Sequence, residues 1–474
     1  MRARTIVVAV AAAAAVAVGL VAAGWSSSAA GSATLGAAAS IAPANAVAFV
    51  ALDSDLSSGQ WNAVNGLLDK FPGYDKVLAN LSTSFTQRTK LSWADDVKPA
   101  LGSELDLVAL PGKQTELVGL TQGGDQQKLD ALLRKLDQGI VSEQIDGWTA
   151  FSKSQAALDA VKSATTKLAD DNTYQAAIAK LAGDALVRAY ANGTEAQQLL
   201  SSLGKQTPLA SAPPFAWAAA DLVASGDGVR VNGYSQDSSL QGIAPRQQPI
   251  PAAPYTSSLV DEIPAGVLLA ADFPVRPGQF ELAGAGALPK PLQAIVAASP
   301  SFLNDLDHVL GGETAVYVRP GLPIPEVTIV TQPDDTKVAE QSLADVLKAL
   351  RAAAGSVGGL NFANIPIVHD VIGGQLIIST SQQGIADFRS AGPKLSSDPS
   401  FTAALKTVSM PAQTTGFLYA DLVRVLPLVQ ALGPLLGLAL PAGPKVDLGA
   451  LKTLTAYRTR AGDESTYTVF LEVA

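Results

Sequence analysis

Acid–base chemistry starts with histidine, and this chain has two, His308 and His369. His308 sits in DLDHVL, where Asp305 and Asp307 could join it at a metal ion. Neighbours on a helix point around its axis rather than to one centre, which argues against that use. The sequence predicts instead a helix ending before Gly311, with His308 near the C-terminus, where the helix dipole favours a cation. His369 stands beside Asp370 in IPIVHDVIGG and reads as a turn residue closing an apolar strand.

Nucleophiles are as scarce. Ser202 and Lys205 form one S-x-x-K in SSLGKQT, the pattern of penicillin-binding enzymes, but the S-D-N and K-T-G companions are absent. That pair keeps a cell-wall hydrolase open as one reading. GKQT at 112–115 lacks the leading glycine and the Lys-Ser/Thr pair of a phosphate-binding loop. The acidic pairs Asp95/Asp96, Asp170/Asp171 and Asp334/Asp335 are sequence neighbours, and two carboxyls facing one bond across a cleft rarely are. They read as helix starts and turns. Glu104/Glu313 and Asp53/Asp272 recur in both halves of the chain; a repeated acid at a strand start reads as a backbone anchor rather than a catalyst. No catalytic residue, metal ligand or cofactor site is assigned.

One stretch suggests binding. VRVLPLVQALGPLLGLALPAGP, 423–444, is almost entirely apolar, yet Arg424, Pro427, Gln430 and Pro434 make it a poor membrane span. The sequence predicts a helix buried between the halves; the alternative is an apolar wall formed by Leu426, Leu432, Leu435 and Leu436, facing a ligand or lipid. LAGAGALPKPLQAIVAASP, 282–300, would add to that surface.

The elements that must position these residues occur twice. LGSELDLVALPG, 101–112, returns as LGGETAVYVRPG, 310–321. In the same order ALDSDLSSGQW (51–61) matches AADFPVRPGQF (270–280), and ELVGLTQ (116–122) matches EVTIVTQ (326–332). Leu129, Leu132, Leu133 and Leu136 then repeat the helical stripe of Leu343, Val346, Leu347 and Leu350. GWTAFSKSQAAL (147–158) matches GQLIISTSQQGI (374–385), and LADDNTYQAAIAKL (168–181) matches LSSDPSFTAALKTV (395–408). There Asp171 and Asp398 are expected N-caps, with Pro399 at the first helical position. RAYAN (188–192) parallels FLYAD (417–421), and the last strand pairs turn at GDG (226–228) and GDE (462–464).

Residues 41–240 and 255–474 therefore read as diverged copies of one α+β unit, a mainly antiparallel sheet with packed helices, joined by a proline-rich linker at 241–254. Whether the two sheets merge is not written in the sequence.

The N-terminus carries Arg2 and Arg4 before an uncharged stretch, Thr5 to Gly24. As a helix that stretch would cross a hydrocarbon layer of about 30 Å. The arginines would keep the N-terminus cytoplasmic and the body outside. Residues 1–25 are thus expected to be a membrane anchor, with a cleaved signal peptide as the rival, and 26–40 a flexible tether. The chain has no cysteine, so disulfides and thiolate metal sites are excluded. A net charge of −9 without a basic run excludes a nucleic-acid partner.

The apolar start, the strand IAPANAVAFVALD, the helix before KFPG (70–73) and the LGxE hairpin together resemble an uncharacterised bacterial envelope family, domain of unknown function 3352. The resemblance implies a cell-envelope protein and carries no catalytic residue with it. The expectation is a membrane-anchored, extracytoplasmic, non-catalytic binding or scaffolding protein of the bacterial cell envelope, with a lipid or an envelope protein as candidate partner. The alternatives are a carrier of lipid or another apolar ligand, and a hydrolase using Ser202 and Lys205.

Overall fold

The computed structural model describes residues 35–112, 116–137, 139–196, 215–238, 253–280, 290–321, 325–352, 366–432 and 447–474. The first half supplies strands β1 (Ala48–Asp53), β2 (Glu104–Leu110), β3 (Glu116–Thr121), β4 (Val141–Ile145), β5 (Trp148–Ser152), β6 (Val187–Asn192), β7 (Phe215–Ser225) and β8 (Gly228–Asp237). The second supplies β9 (Leu269–Val275), β10 (Gly312–Arg319), β11 (Glu326–Thr331), β12 (Val368–Ile372), β13 (Gln375–Ser379), β14 (Gly416–Asp421), β15 (Leu451–Ala461) and β16 (Glu464–Val473). All sixteen form one antiparallel sheet.

From its outer edge each half runs in the same order, β4-β5-β3-β2-β1-β6-β7-β8 and β12-β13-β11-β10-β9-β14-β15-β16. The halves meet where β8 pairs with β16 along nine residue pairs, Gly228 to Gln236 against Glu472 to Glu464. Sheet and core are therefore continuous across the junction, which the sequence had left open.

The helices are α1 (Gly59–Leu68), α2 (Tyr74–Thr89), α3 (Gln126–Leu136), α4 (Gln155–Ser163), α5 (Asn172–Ile178), α6 (Lys290–Ala298), α7 (Phe302–Val309), α8 (Thr336–Ala352), α9 (Gln382–Arg389), α10 (Pro399–Thr407) and α11 (Leu422–Leu432). Their starts follow local chemistry. Ser58, Asp125, Ser154, Asp171, Ser381 and Asp398 each accept a first-turn N–H. Each such cap contributes about 1 kcal/mol. Pro399 holds the first position of α10, as its sequence predicts. The Pro-Gly steps at 111–112 and 320–321 follow β2 and β10.

One sheet face is closed by the leader residues 35–42 and helices α4 and α5 in the first half, and by α9 and α10 in the second. Tyr174 meets Tyr190 edge-on with centroids 5.1 Å apart, and Phe401 meets Tyr419 in the same way at 5.2 Å. Pairs of this geometry add roughly 0.5–1.5 kcal/mol beyond burial. On the opposite face α3 packs its leucines near one edge, and α6, α7 and α8 cover the other. The glycine of the first Leu-Gly has a steric cause: a Cβ on Gly102 would lie 1.6 Å from the Gln122 carbonyl oxygen. In the second half the close approach falls one residue further on, at Gly312, where a Cβ would lie 2.0 Å from the Gln332 carbonyl oxygen.

Three expectations change. The tether does not reach 40: Leu35, Ala38 and Ala39 are buried, because a short 3-10 turn at Ala37–Ser40 tucks small side chains under the sheet. Residues 1–34, including the proposed membrane span, and 241–252 of the linker lie outside the described residues. Asp272 is not the counterpart of Asp53. Glu104 pairs with Asp53, whereas Glu313 pairs with Pro274. Asp272 therefore takes the register place of Ala51. β9 continues to Val275, so Asp272 lies two residues before Pro274, the register equivalent of Asp53, and a shift of two keeps the side chain on the same face.

Finally, His369 lies within β12, opposite Ile378, and the turn follows at Gly373 and Gly374. His369 is exposed there, as suits an edge strand with one solvated face.

Candidate functional site

Glu104 and Glu313 each hold the chain that leads into their half. Glu104 Oε1 accepts the N–H groups of Gly36 at 2.5 Å and Ala37 at 3.1 Å. Glu313 accepts the N–H groups of Ser258 at 2.8 Å and Leu259 at 3.0 Å, and the hydroxyls of Ser257 at 2.8 Å and Ser258 at 2.7 Å. This is the anchor geometry expected from the repeat.

Each glutamate has a second acid beside it. Asp106 is fully buried, and its oxygens take no hydrogen bond from a described donor. Burial, reinforced by Glu104, pushes its pKa well above the usual carboxylate range. In the second half the acid is Asp272, 1% exposed, which accepts the Tyr255 hydroxyl and the Ser257 hydroxyl at 3.0 Å. Burial drives its pKa up to about 7, opposed by the Tyr255 hydrogen bond and reinforced by Glu313. The same carboxyl pair is thus built from β2 alone in one half and from β9 with β10 in the other. Burial also raises Asp53 to about 6, against hydrogen bonds from Ser58 and the Asp55 N–H. Raised acids can mark active sites, but a catalytic acid must touch its substrate; Asp106 and Asp272 are buried beside the leader-holding glutamates, and Asp53 is buried against the start of α1.

The remaining polar candidates do not assemble. His308 ends α7 with Nδ1 3.3 Å from Ser342 Oγ, while Asp307 Oδ1 accepts the Phe280 N–H at 3.0 Å. Among the described residues no three His, Asp or Glu side chains group to hold a metal ion. Asp96 accepts the Ser92 N–H and Lys135, and Asp171 and Asp335 accept first-turn N–H groups. Ser202, Lys205 and residues 113–115 lie outside the described residues.

The apolar wall is only partly in view. Leu426 is half-buried on α11, Leu432 ends that helix, and Leu435 and Leu436 lie outside the described residues. A helix buried between the halves is not what α11 forms: none of residues 422–429 is buried, and Val423 is 57% exposed. The reason is topological, since α11 follows β14 while β8 and β16 make the junction. Among the described residues no helix is long and apolar enough to cross a membrane.

The sheet itself carries the feature that the sequence reading missed. Directly paired residues share a face, so the register traces rows across the strands. On the face opposite the leaders one row runs Leu105, Leu52, Val187, Leu222 and Val231 through the first half. It continues without a polar residue through Val469, Ala456, Leu418, Ala271, Val316, Ile329 and Ile378.

Two residues along, a second apolar row links Ala224, Val229, Leu471, Leu454, Ala420, Leu269, Val318 and Val327. On the other side a third passes through Leu107, Val50, Ala189, Ala220, Gly233, Tyr467 and Arg458. Helix α1 covers part of this floor through Trp61, Val64 and Leu67. At its centre Val231, Tyr467 and Val469 remain 39%, 40% and 40% exposed. Scattered exposed valines are ordinary, but these adjoin one another in a continuous apolar surface. The alternation Val229, Val231, Gly233 and Tyr467, Val469, Leu471 was the available sequence signal.

A cleft of about 1100 Å³ also opens at the strand ends of the first half, lined by polar groups such as Asn45, Thr166, Asn192 and Thr194. Among the described residues of its lining Glu195 is the one charged side chain.

Solved structures similar to the chain include three crystal forms of TP0453. Form IV is 8% identical, covering 42% of this chain and 79% of that one at a TM-score of 0.24. Form III is 8% identical, covering 46% and 88% at 0.23. Form I is 10% identical, covering 44% and 81% at 0.22. None of the curated proteins matches the chain. The model of the family described as protein of unknown function (DUF3352) matches residues 152–473, well over half of the sequence, and the chain belongs to that family.

Proposed function

We propose that this chain is a non-catalytic binding protein of the bacterial cell envelope, formed by tandem duplication, that holds a lipid against the exposed sheet face at the junction of its halves. The observation that carries this reading is the twelve-strand apolar row with Val231 and Val469 exposed at its centre. Exposed apolar area of this kind is favourable to cover, at roughly 25 cal/mol per Å² removed from water. Arg2, Arg4 and the uncharged stretch to Gly24 support an anchor that leaves the body outside the cytoplasm, where lipid is at hand. The hydrolase reading rests on Ser202 and Lys205 alone, and no described geometry favours it.

The test is native mass spectrometry of the full chain released gently from host membranes. A mass excess that solvent extracts as lipid, and that the Val231→Asp/Val469→Asp variant loses while keeping its circular dichroism, is the expected result. A bare mass in the unaltered protein, or a lipid-free dimer that buries this face, would overturn the proposal.

A further inference from the structure

Within the three rows between β2 and β11, one residue is charged. Arg458 on β15 stands in the third row between Tyr467 and Gly416, directly beside the apolar row at Ala456. Its guanidinium lies 4.9 Å from the Tyr467 ring centroid and donates to Ser465 Oγ at 2.9 Å. Its Nε is buried and bonds to no described residue.

The neighbouring cation behaves differently. Arg460 pairs with Asp237 at 2.5 Å, while no described carboxylate lies within ion-pair distance of Arg458. In the first half the corresponding position opposite Val187 is Leu222, so the apolar choice is compatible with the fold. A guanidinium placed in an apolar floor without a counter-ion costs stability unless an anion completes it.

We infer that Arg458 recognises the anionic head group of the bound lipid while the acyl chain lies along the apolar rows. The inference rests on the lipid-binding reading above and names the class of lipid: an anionic amphiphile. Arginine suits that task, since its planar fork reaches two oxygens of a carboxylate or phosphate and still stacks on an aromatic ring. Its row position sets the head group beside the junction, with Val469 and Ala456 the first apolar surface available to the chain.

The test titrates delipidated full-length protein at pH 8 with palmitate and with hexadecanol, probes of equal chain length that differ in head-group charge. Palmitate should bind about tenfold tighter, the order expected of a charge-assisted hydrogen bond. Arg458→Gln should remove that preference and leave hexadecanol unchanged. Arg458→Lys should restore part of it, a pattern that mere loss of packing would not give. Equal binding of both probes by the unaltered protein would overturn the role of Arg458 and leave the apolar face standing. Binding of neither would overturn both readings.

Discussion

Asn232 on β8 and Thr468 on β16 are cross-strand partners, and each also occupies the other's place in its own half. The hairpin turns Gly226–Asp227 and Gly462–Asp463 fix that equivalence, because both strands are counted from them. A twofold axis normal to the sheet therefore passes through this pair, where the Thr468 hydroxyl reaches Asn232 Oδ1 at 3.4 Å. The symmetry maps Val231 onto Tyr467 and Gly233 onto Val469, so the exposed cluster is built from equivalent sites filled differently. A surface created at such an axis exists only when both halves are present.

That arrangement makes a prediction about the isolated first half. A chain of residues 35–238 would leave β8 as a ten-residue unpaired edge. Unpaired edges of that length seek another strand. The half should form a homodimer in which β8 pairs with its own copy about Asn232, replacing β16. Light scattering after gel filtration should give twice the half-chain mass, and Val231→Pro, which removes a ladder donor, should reduce it to monomer or aggregate. A folded, stable monomer of this half would show that the junction is dispensable.

The buried carboxyls predict how stability follows pH. Asp272 has a folded pKa raised to about 7 against an ordinary 3.8, so the native state binds its proton more tightly than the unfolded chain. Its stabilising contribution is complete below the unfolded value and is lost as pH rises through about 7. Asp53, raised to about 6, and Asp106 act in the same direction. Denaturant midpoints should therefore fall between pH 5 and pH 8, and Asp272→Asn should flatten that slope. An unfolding midpoint that rises over this interval would contradict the buried-acid picture.

Much of this fold was legible in the residues. The repeated hairpin and the Asp171 and Asp398 caps follow from short-range chemistry, in which a side chain bonds backbone a few residues away, while the anchoring glutamates were legible because both halves keep them. The place of Asp272 was not, because matching from the downstream Gly-Gln spacing ignores register, which the partner strands set. The apolar face was hidden for a related reason. Leu222, Val231, Val469 and Leu418 are far apart in sequence and become neighbours only when eight strands per half align. Composition pointed instead to 423–444, whose described helix flanks β14 and β15 rather than the junction.

The two anchors should differ in strength, and that difference tests what they do. Glu104 holds two backbone N–H groups, while Glu313 holds two N–H groups and two hydroxyls. Leaving buried donors unsatisfied costs about 1–3 kcal/mol; Glu313→Ala strands the partly buried Ser257 hydroxyl and Leu259 N–H, and also releases the exposed Ser258 donors to water. Glu104→Ala should therefore destabilise the protein by about 1–3 kcal/mol, and Glu313→Ala by more, in urea unfolding. Hydrogen exchange should localise the effect, accelerating amides 36–39 in the first variant and 258–261 in the second. If exchange instead rose evenly across the sheet, the glutamates would be holding the strands themselves rather than the leaders that close them.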